Sequence, residues 1–288
     1  MHSTPPTLMM RAPYQHERGG VMSRVGIFFY GILSYVVFLA VFVYAIGFIG
    51  GFLTPTMLDG APNRPLAEAL AIDLGLLALF AIQHSGMARP AFKRWWTRIV
   101  PEAAERSTYV LLSSLLLVAL FAYWEPIGGV IWSMQSETAR ATVIGLYAFG
   151  WLLLLYTTFL IDHFDLFGLT QVWRRLTNKS YRPPQFHTPF LYRLVRHPLY
   201  IGWLVIFWAA PVMTVAHLVF ALMTTAYILI AIQLEERDLV SAFGDRYVEY
   251  KRRTPMIIPR LWPARGVDAV AAGTTTGANV SAAKQARS

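Results

Sequence analysis

The stretch Arg196-His197-Pro198-Leu199-Tyr200 places a guanidinium, an imidazole and a phenol within five residues. Glu235-Glu236 adds two adjacent carboxylates after a further apolar run. Taken alone, each is a boundary feature. Proline in the first helical turn is favoured, because the N–H it lacks has no partner there. An arginine and a histidine just before it serve as an interfacial anchor and a cap. Paired carboxylates at the edge of an apolar run are costly unless hydrated or paired. Brought together, these groups form a pocket for a charged ligand. Carboxylates hold an ammonium or hydroxyls, Arg196 or His197 holds a carboxylate, and the faces of Tyr200 and Trp203 suit an aromatic ring or a cation. No glycine-rich turn after a strand offers a soluble-type dinucleotide site.

Other ionisable groups stand at the ends of apolar runs. His84 closes one, and His163 follows another between Asp162 and Asp165. Both fit a general base as well as a capping or interfacial histidine. Asp73 lies on nearly the same helical face as His84, about 16 Å away along the axis, and reads as a buried polar link between helices. There are no cysteines and seven scattered histidines. No thiolate or paired-histidine metal site is expected.

The elements that position these groups follow from composition. Of 288 residues, 56% are hydrophobic and 14% charged, against about 25% charged in soluble domains. The apolar residues gather in runs near the length that crosses a bilayer as a helix. The expected fold is all-α: a polytopic transmembrane bundle in a lipid bilayer. Four spans are predicted at residues 25–53, 66–85, 107–124 and 141–161. A last apolar block, 199–234, is interrupted near Pro211. Lys+Arg counts in the segments between runs are 3, 1, 5, 1, 6 and 9. High and low alternate for four crossings, and then two high counts flank the last block. The positive-inside rule therefore puts both ends of that block, and both termini, in the cytoplasm. The block must cross and return, giving six helices, the last two a hairpin. This hairpin brings Arg196, His197 and Tyr200 to the same side as Glu235 and Glu236. The net charge of +9 reads as positive-inside loops rather than nucleic-acid binding.

The predicted organisation is a cytoplasmic tail over 1–24, four helices over 25–161, a cytoplasmic connector over 162–198, and the hairpin with a cofactor-binding segment over 199–262. A disordered tail rich in Ala, Gly, Thr and Ser occupies 263–288. Residues 1–26 hold three prolines and three arginines and no short apolar core, so no cleavable signal is expected. Beyond Leu234, Leu239, Phe243, Tyr247 and Tyr250 recur at helical spacing. They predict an amphipathic segment on the bilayer that also lids the pocket.

RHPLYIGW, an apolar hairpin, EERDL, FGDRYVEY and TPMIIP fall within residues 192–260. In this order they resemble the C-terminal signature of the isoprenylcysteine carboxyl methyltransferase superfamily, integral membrane enzymes that use S-adenosylmethionine. LLALFAIQHSGMARPAFKRWWTRIVPEAAERSTYVLL and TFLIDHFDLFGLTQVW are similar to its nurim-like branch. Within that branch the similarity is to the bacterial methanethiol S-methyltransferases, over about 26–259. The resemblance implies methyl transfer from S-adenosylmethionine to methanethiol or another small thiol, in a bacterial inner membrane, with the cofactor in a cytoplasm-facing cavity. It carries cofactor contacts onto Arg196, His197, Tyr200, Gly202, Trp203, Glu235, Glu236 and Tyr247. Tyr250 matches the second tyrosine after FG. A thiol reacts as thiolate, so a base is needed, and His84, His163 and Glu235 are its candidates. No nucleic acid or metal is implied, and no oligomeric state is fixed. Two other readings stay open at this point. One is the same cofactor chemistry on a prenylcysteine carboxylate or lipid acceptor. The other is a non-catalytic nurim-like scaffold or transporter.

Overall fold

A computed structural model describes residues 21–182 and 185–259. The expected C-terminal tail, and all of the N-terminal one but its last four residues, lie outside the described residues. Those four belong to α1 (Val21–Gly50), which therefore begins earlier than the hydropathy alone predicts. The elements that come after it are α2 (Leu66–Ala88), α3 (Pro90–Trp96), α4 (Glu102–Tyr123), β1 (Val130–Ser133) and α5 (Glu137–Leu160). Then come the short α6 (His163–Leu166), α7 (Leu169–Leu176) and α8 (Leu191–Leu194). The chain continues with α9 (Pro198–Trp208), β2 (Val212–Thr214), α10 (Val215–Phe243) and α11 (Asp245–Arg253).

Five of these, α1, α2, α4, α5 and α10, are long and apolar enough to cross a membrane. With Phe29, Val43, Ile82, Leu152 and Ile230 presented outward, the protein is an integral membrane helical bundle. Its packed interior includes Phe48, Leu120, Trp124, Trp151, Ile206, Phe220 and Ile232.

The expected sixth crossing differs. Helix α9 has 11 residues, about 16 Å, half the thickness of a hydrocarbon core. Pro211 explains the stop. It disfavours helical geometry at the residue before it and offers no N–H. The chain completes the distance extended, about 3.3 Å per residue, and β2 pairs antiparallel with β1. This sheet was not predicted. Backbone carbonyls freed by the break find new donors, as apolar surroundings require. Phe207 O accepts from His217 Nε2 at 3.1 Å, Ala210 O from Trp132 Nε1 at 3.2 Å, and Pro211 O from Met134 N at 3.0 Å. His217 Nδ1 donates to Asp59 at 3.1 Å, and the Thr214 hydroxyl donates to the other Asp59 oxygen.

Helix α10 is also not as expected. It runs past Leu234 to Phe243, so the two glutamates, expected at the end of the returning helix, lie inside it. The expected amphipathic segment is divided at Gly244, whose φ is +57°. Leu239 and Phe243 belong to α10, and Tyr247 and Tyr250 to α11.

Two helix contacts set where the ends of α9 and α10 lie. Helices α5 and α9 touch at Gly150 and Gly202. A Cβ on Gly202 would meet Gly150 O and Leu154 N at 3.1 Å each, so small residues set the approach. The end of α2 reaches α10 through Arg89 Nη1 and Asp238 Oδ2, 2.9 Å apart.

Candidate functional site

Proline at the first turn starts α9 at Pro198, and His197 stands immediately before it. The segment after α11 runs beside this start. Arg196 N donates to Pro255 O at 2.9 Å and His197 N to Met256 O at 3.1 Å. These two backbone bonds hold both residues beside the stretch of α10 that carries Glu235 and Glu236.

Glu236 is 2% exposed and is held by three cationic or imidazole donors. Arg196 Nε donates to Oε1 at 2.6 Å, His197 Nε2 to the same oxygen at 3.1 Å, and Lys251 Nζ to Oε2 at 2.7 Å. Arg196 Nη1 goes to the carbonyls of Thr254 and Lys251, at 2.6 and 3.0 Å. A buried carboxylate is tolerable only when so paired and bonded. The cluster ties α9, α10 and α11 together.

Glu235 is the opposite case. Its side chain is 44% exposed. Oε2 accepts from the Tyr200 hydroxyl at 3.0 Å, and His197 Nδ1 stands 3.9 Å away. Phenols surround it. Burial pushes the Tyr247 phenol up, with the charges of Glu236 and Glu235 adding, and Tyr192 is raised by burial and by Glu235. Tyr247 is buried against Phe186 and Tyr250. The Tyr250 hydroxyl donates to Tyr192 O at 2.5 Å. Thus Arg196, His197, Tyr200, Glu235, Glu236 and Tyr247 meet at one end of the bundle.

Gly202 and Trp203 do not join them through polar contact. Gly202 is buried at the α5 crossing. Trp203 stacks on Phe207 and meets Trp151 edge-on, with ring centres 5.4 and 5.6 Å apart.

The two histidines lie on different sides. His163 is buried between Thr158 and Tyr35, with Nδ1 to Thr158 Oγ1 2.8 Å and Nε2 to Tyr35 Oη 2.7 Å. The Thr158 hydroxyl proton is committed to Leu155 O. So Nδ1 donates, and Nε2 accepts from Tyr35. Burial pushes this imidazole below its usual value, with Asp162 opposing. Phe159 stacks on the ring at 4.4 Å. His84 faces Tyr109 and Ser113, with Nε2 to Tyr109 Oη 2.9 Å and Nδ1 to Ser113 Oγ 3.1 Å. The next residue, Ser85, bonds Tyr227 Oη of α10 at 3.1 Å. Tyr109 and Tyr227 are electrostatic neighbours of Tyr200, which places His84 on the side of the bundle that faces Glu235. Asp73 is buried and accepts from Glu125 N at 2.9 Å, so it links α2 to the turn after α4. Among the described residues no group of acidic, histidine or cysteine side chains could hold a metal.

Sequence reading missed Lys251, Tyr192, Tyr109 and Tyr227. Lys251 lies in a basic run with Arg252 and Arg253, all three exposed, and no pattern singles it out. Tyr227 was findable as the lone phenol two helical turns before Glu235.

No family model and no solved structure matches the chain. Curated relatives do. The methanethiol S-methyltransferase of Crocosphaera subtropica is 52% identical over 238 residues, which are 83% of this chain and 93% of the relative. That of Mycobacterium tuberculosis is 48% identical over 244 residues, 85% of this chain and 99% of the relative. Nurim of Sus scrofa is 35% identical over 186 residues, 62% of this chain and 70% of the relative.

Proposed function

The chain belongs to the methanethiol S-methyltransferase family, and from this we propose that it methylates methanethiol to dimethyl sulfide with S-adenosylmethionine as donor. The proton and S-adenosylhomocysteine are the other products. The observation that carries this reading is the open carboxylate of Glu235, set among phenols beside a cluster that needs no further partner.

The residues present fit the donor. Bound there, S-adenosylmethionine supplies an electrophilic methyl group on a sulfonium. Glu235 has one oxygen with no partner among the described residues and holds the donor's ammonium or ribose hydroxyls. The faces of Tyr192, Tyr200 and Tyr247 accept the adenine or the sulfonium. Tyr200 orients Glu235 through its hydroxyl. Glu236 acts differently from the role that the resemblance carries onto it. Its oxygens are taken by Arg196, His197 and Lys251, so it positions the helix ends. Arg196 is likewise a positioning residue, since Nε and Nη1 are both engaged. Gly202 contributes the close α5–α9 approach, and Trp203 the apolar wall behind Tyr200.

Methyl transfer to sulfur needs the thiolate, and in-line displacement gains mostly from positioning. Of the two histidines, His84 is the better base. It lies on the Glu235 side, and its partner Tyr109 carries a proton-relaying hydroxyl. His163 instead joins α1 to α5 through Tyr35 and Thr158. The basic segments flanking the open end support a cytoplasmic site and cytoplasmic termini in a bacterial inner membrane.

The test is purified protein in detergent, S-adenosylmethionine and methanethiol in a sealed vial, with the headspace assayed for dimethyl sulfide. The expected result is product from the native chain and a loss of about 100-fold or more in Glu235→Ala. Donor binding without product would discard the thiol and keep the methyltransferase. Undiminished product in Glu235→Ala would remove the site.

A further inference from the structure

A cavity of about 370 Å³ opens where α2 ends and α4 begins, and Glu235 is not in its lining. Its walls are α3, the first turn of α4, α6 and α7, with Tyr181 beyond. That volume falls within the roughly 300–1,000 Å³ of ligand pockets and exceeds what one trapped water fills. Five charged side chains line it: Lys93 and Arg106 against Glu102, Glu105 and Asp165.

Some of its groups are already satisfied. Asp165 accepts from the Tyr181 hydroxyl and the Gln171 amide at 3.1 and 3.3 Å. Arg106 Nε donates to Leu166 O at 2.6 Å, and its guanidinium lies 4.9 Å over the Tyr109 ring. Others are not. Glu105 Oε1 and Gln171 Oε1 are buried acceptors with no donor among the described residues. Among the same residues, neither Lys93 nor Arg106 makes an ion pair within 4.0 Å. Burial pushes the Lys93 ammonium down, with Arg106 adding to it, and pushes the Asp165 carboxyl up. Both shifts come first from removal of the charged group from water.

Two orphan acceptors ask for N–H donors, and two unpaired cations ask for an anion, across one small cavity. We propose that this cavity binds a zwitterion carrying a primary ammonium and an anionic group. The ammonium donates to Glu105 and Gln171 once their side chains turn these solvent-shielded oxygens toward the cavity, and the anion faces Lys93 and Arg106. A quaternary ammonium has no N–H and leaves both acceptors unpaired, at a cost equivalent to roughly tenfold in affinity. Depth points to a source. Span α2 ends and span α4 begins at this level, and Trp95 and Trp96 lie on α3 beside it. Tryptophan at span ends marks the headgroup layer. A phospholipid with an ethanolamine headgroup and a free amino-acid-like zwitterion share the required chemistry.

Native mass spectrometry on the delipidated full chain distinguishes the two. Phosphatidylethanolamine, phosphatidylcholine and phosphatidylglycerol are added singly, and phosphoethanolamine and methionine are tested by equilibrium dialysis. The expected result is retention of phosphatidylethanolamine about tenfold above the other two lipids. That preference disappears in Glu105→Gln and in Gln171→Leu, each with the melting temperature recorded as a fold control. Saturable binding of phosphoethanolamine or methionine, lost in the same variants, assigns the free zwitterion instead. Equal retention of phosphatidylcholine with no binding of either small molecule overturns the proposal. A preference that survives both variants also overturns it.

Discussion

At one end of the bundle Asp59, Thr214 and His217 close round a break in the helical run. At the other, Arg196, His197 and Lys251 close round Glu236 and leave Glu235 open. Both are buried polar clusters in apolar surroundings. The first directs its donors to the backbone carbonyl the break freed and to the one carboxylate of Asp59. The second sets two carboxylates against donors that engage only one of them fully. A cluster that consumes its own polar groups stabilises; one with a carboxylate to spare can also bind.

The contrast is sharpest when the variants are ranked by their effect on stability. Glu236→Ala strands the largely buried side chains of Arg196 and His197 and is expected to cost about 3–5 kcal/mol, read as a large drop in melting temperature in detergent. An unchanged melting temperature would break the assignment of Glu236 as the clamp. His217→Ala leaves Phe207 O and Asp59 short of a donor, at about 1–3 kcal/mol. It is expected to lower the melting temperature with donor affinity intact by dialysis; a matching loss of affinity would show that the two ends are not independent. Tyr200→Phe removes one hydrogen bond, about 0.5–1.5 kcal/mol, and is expected to weaken donor binding several-fold. Glu235→Ala ranks last in stability, within about 0.5 kcal/mol of the native chain, because its side chain is half solvated. It is also the variant in which dimethyl sulfide is expected to vanish. Strong destabilisation there would make Glu235 a second clamp.

Much of the bundle was legible. Apolar runs near 20 residues located the five long helices, because a span must satisfy its backbone internally. The charge alternation between runs required the last block to return, and so it predicted the meeting of Arg196, His197 and Tyr200 with the glutamates. The short α9 and the β1–β2 pairing were not legible. Hydropathy reads residues 199–234 as one apolar block whatever their backbone does, and the break is made tolerable by donors and acceptors from residues 59, 132 and 134. His84 and His163 looked alike as histidines at the ends of apolar runs. Their neighbours separate them, and those neighbours come from α4 and α1, distant in sequence.

The sequence by itself determined that this is a membrane-spanning helical bundle with a polar site where the last run begins and returns. Hydrophobic length and charge bias are local quantities, readable without coordinates. Only the tertiary structure decided which glutamate of the pair is free. Adjacent residues on a helix point about 100° apart, so α10 must turn one toward Arg196, His197 and Lys251 and the other toward open space. That choice depends on where α9 and α11 come to rest against it, which the order of the residues does not state.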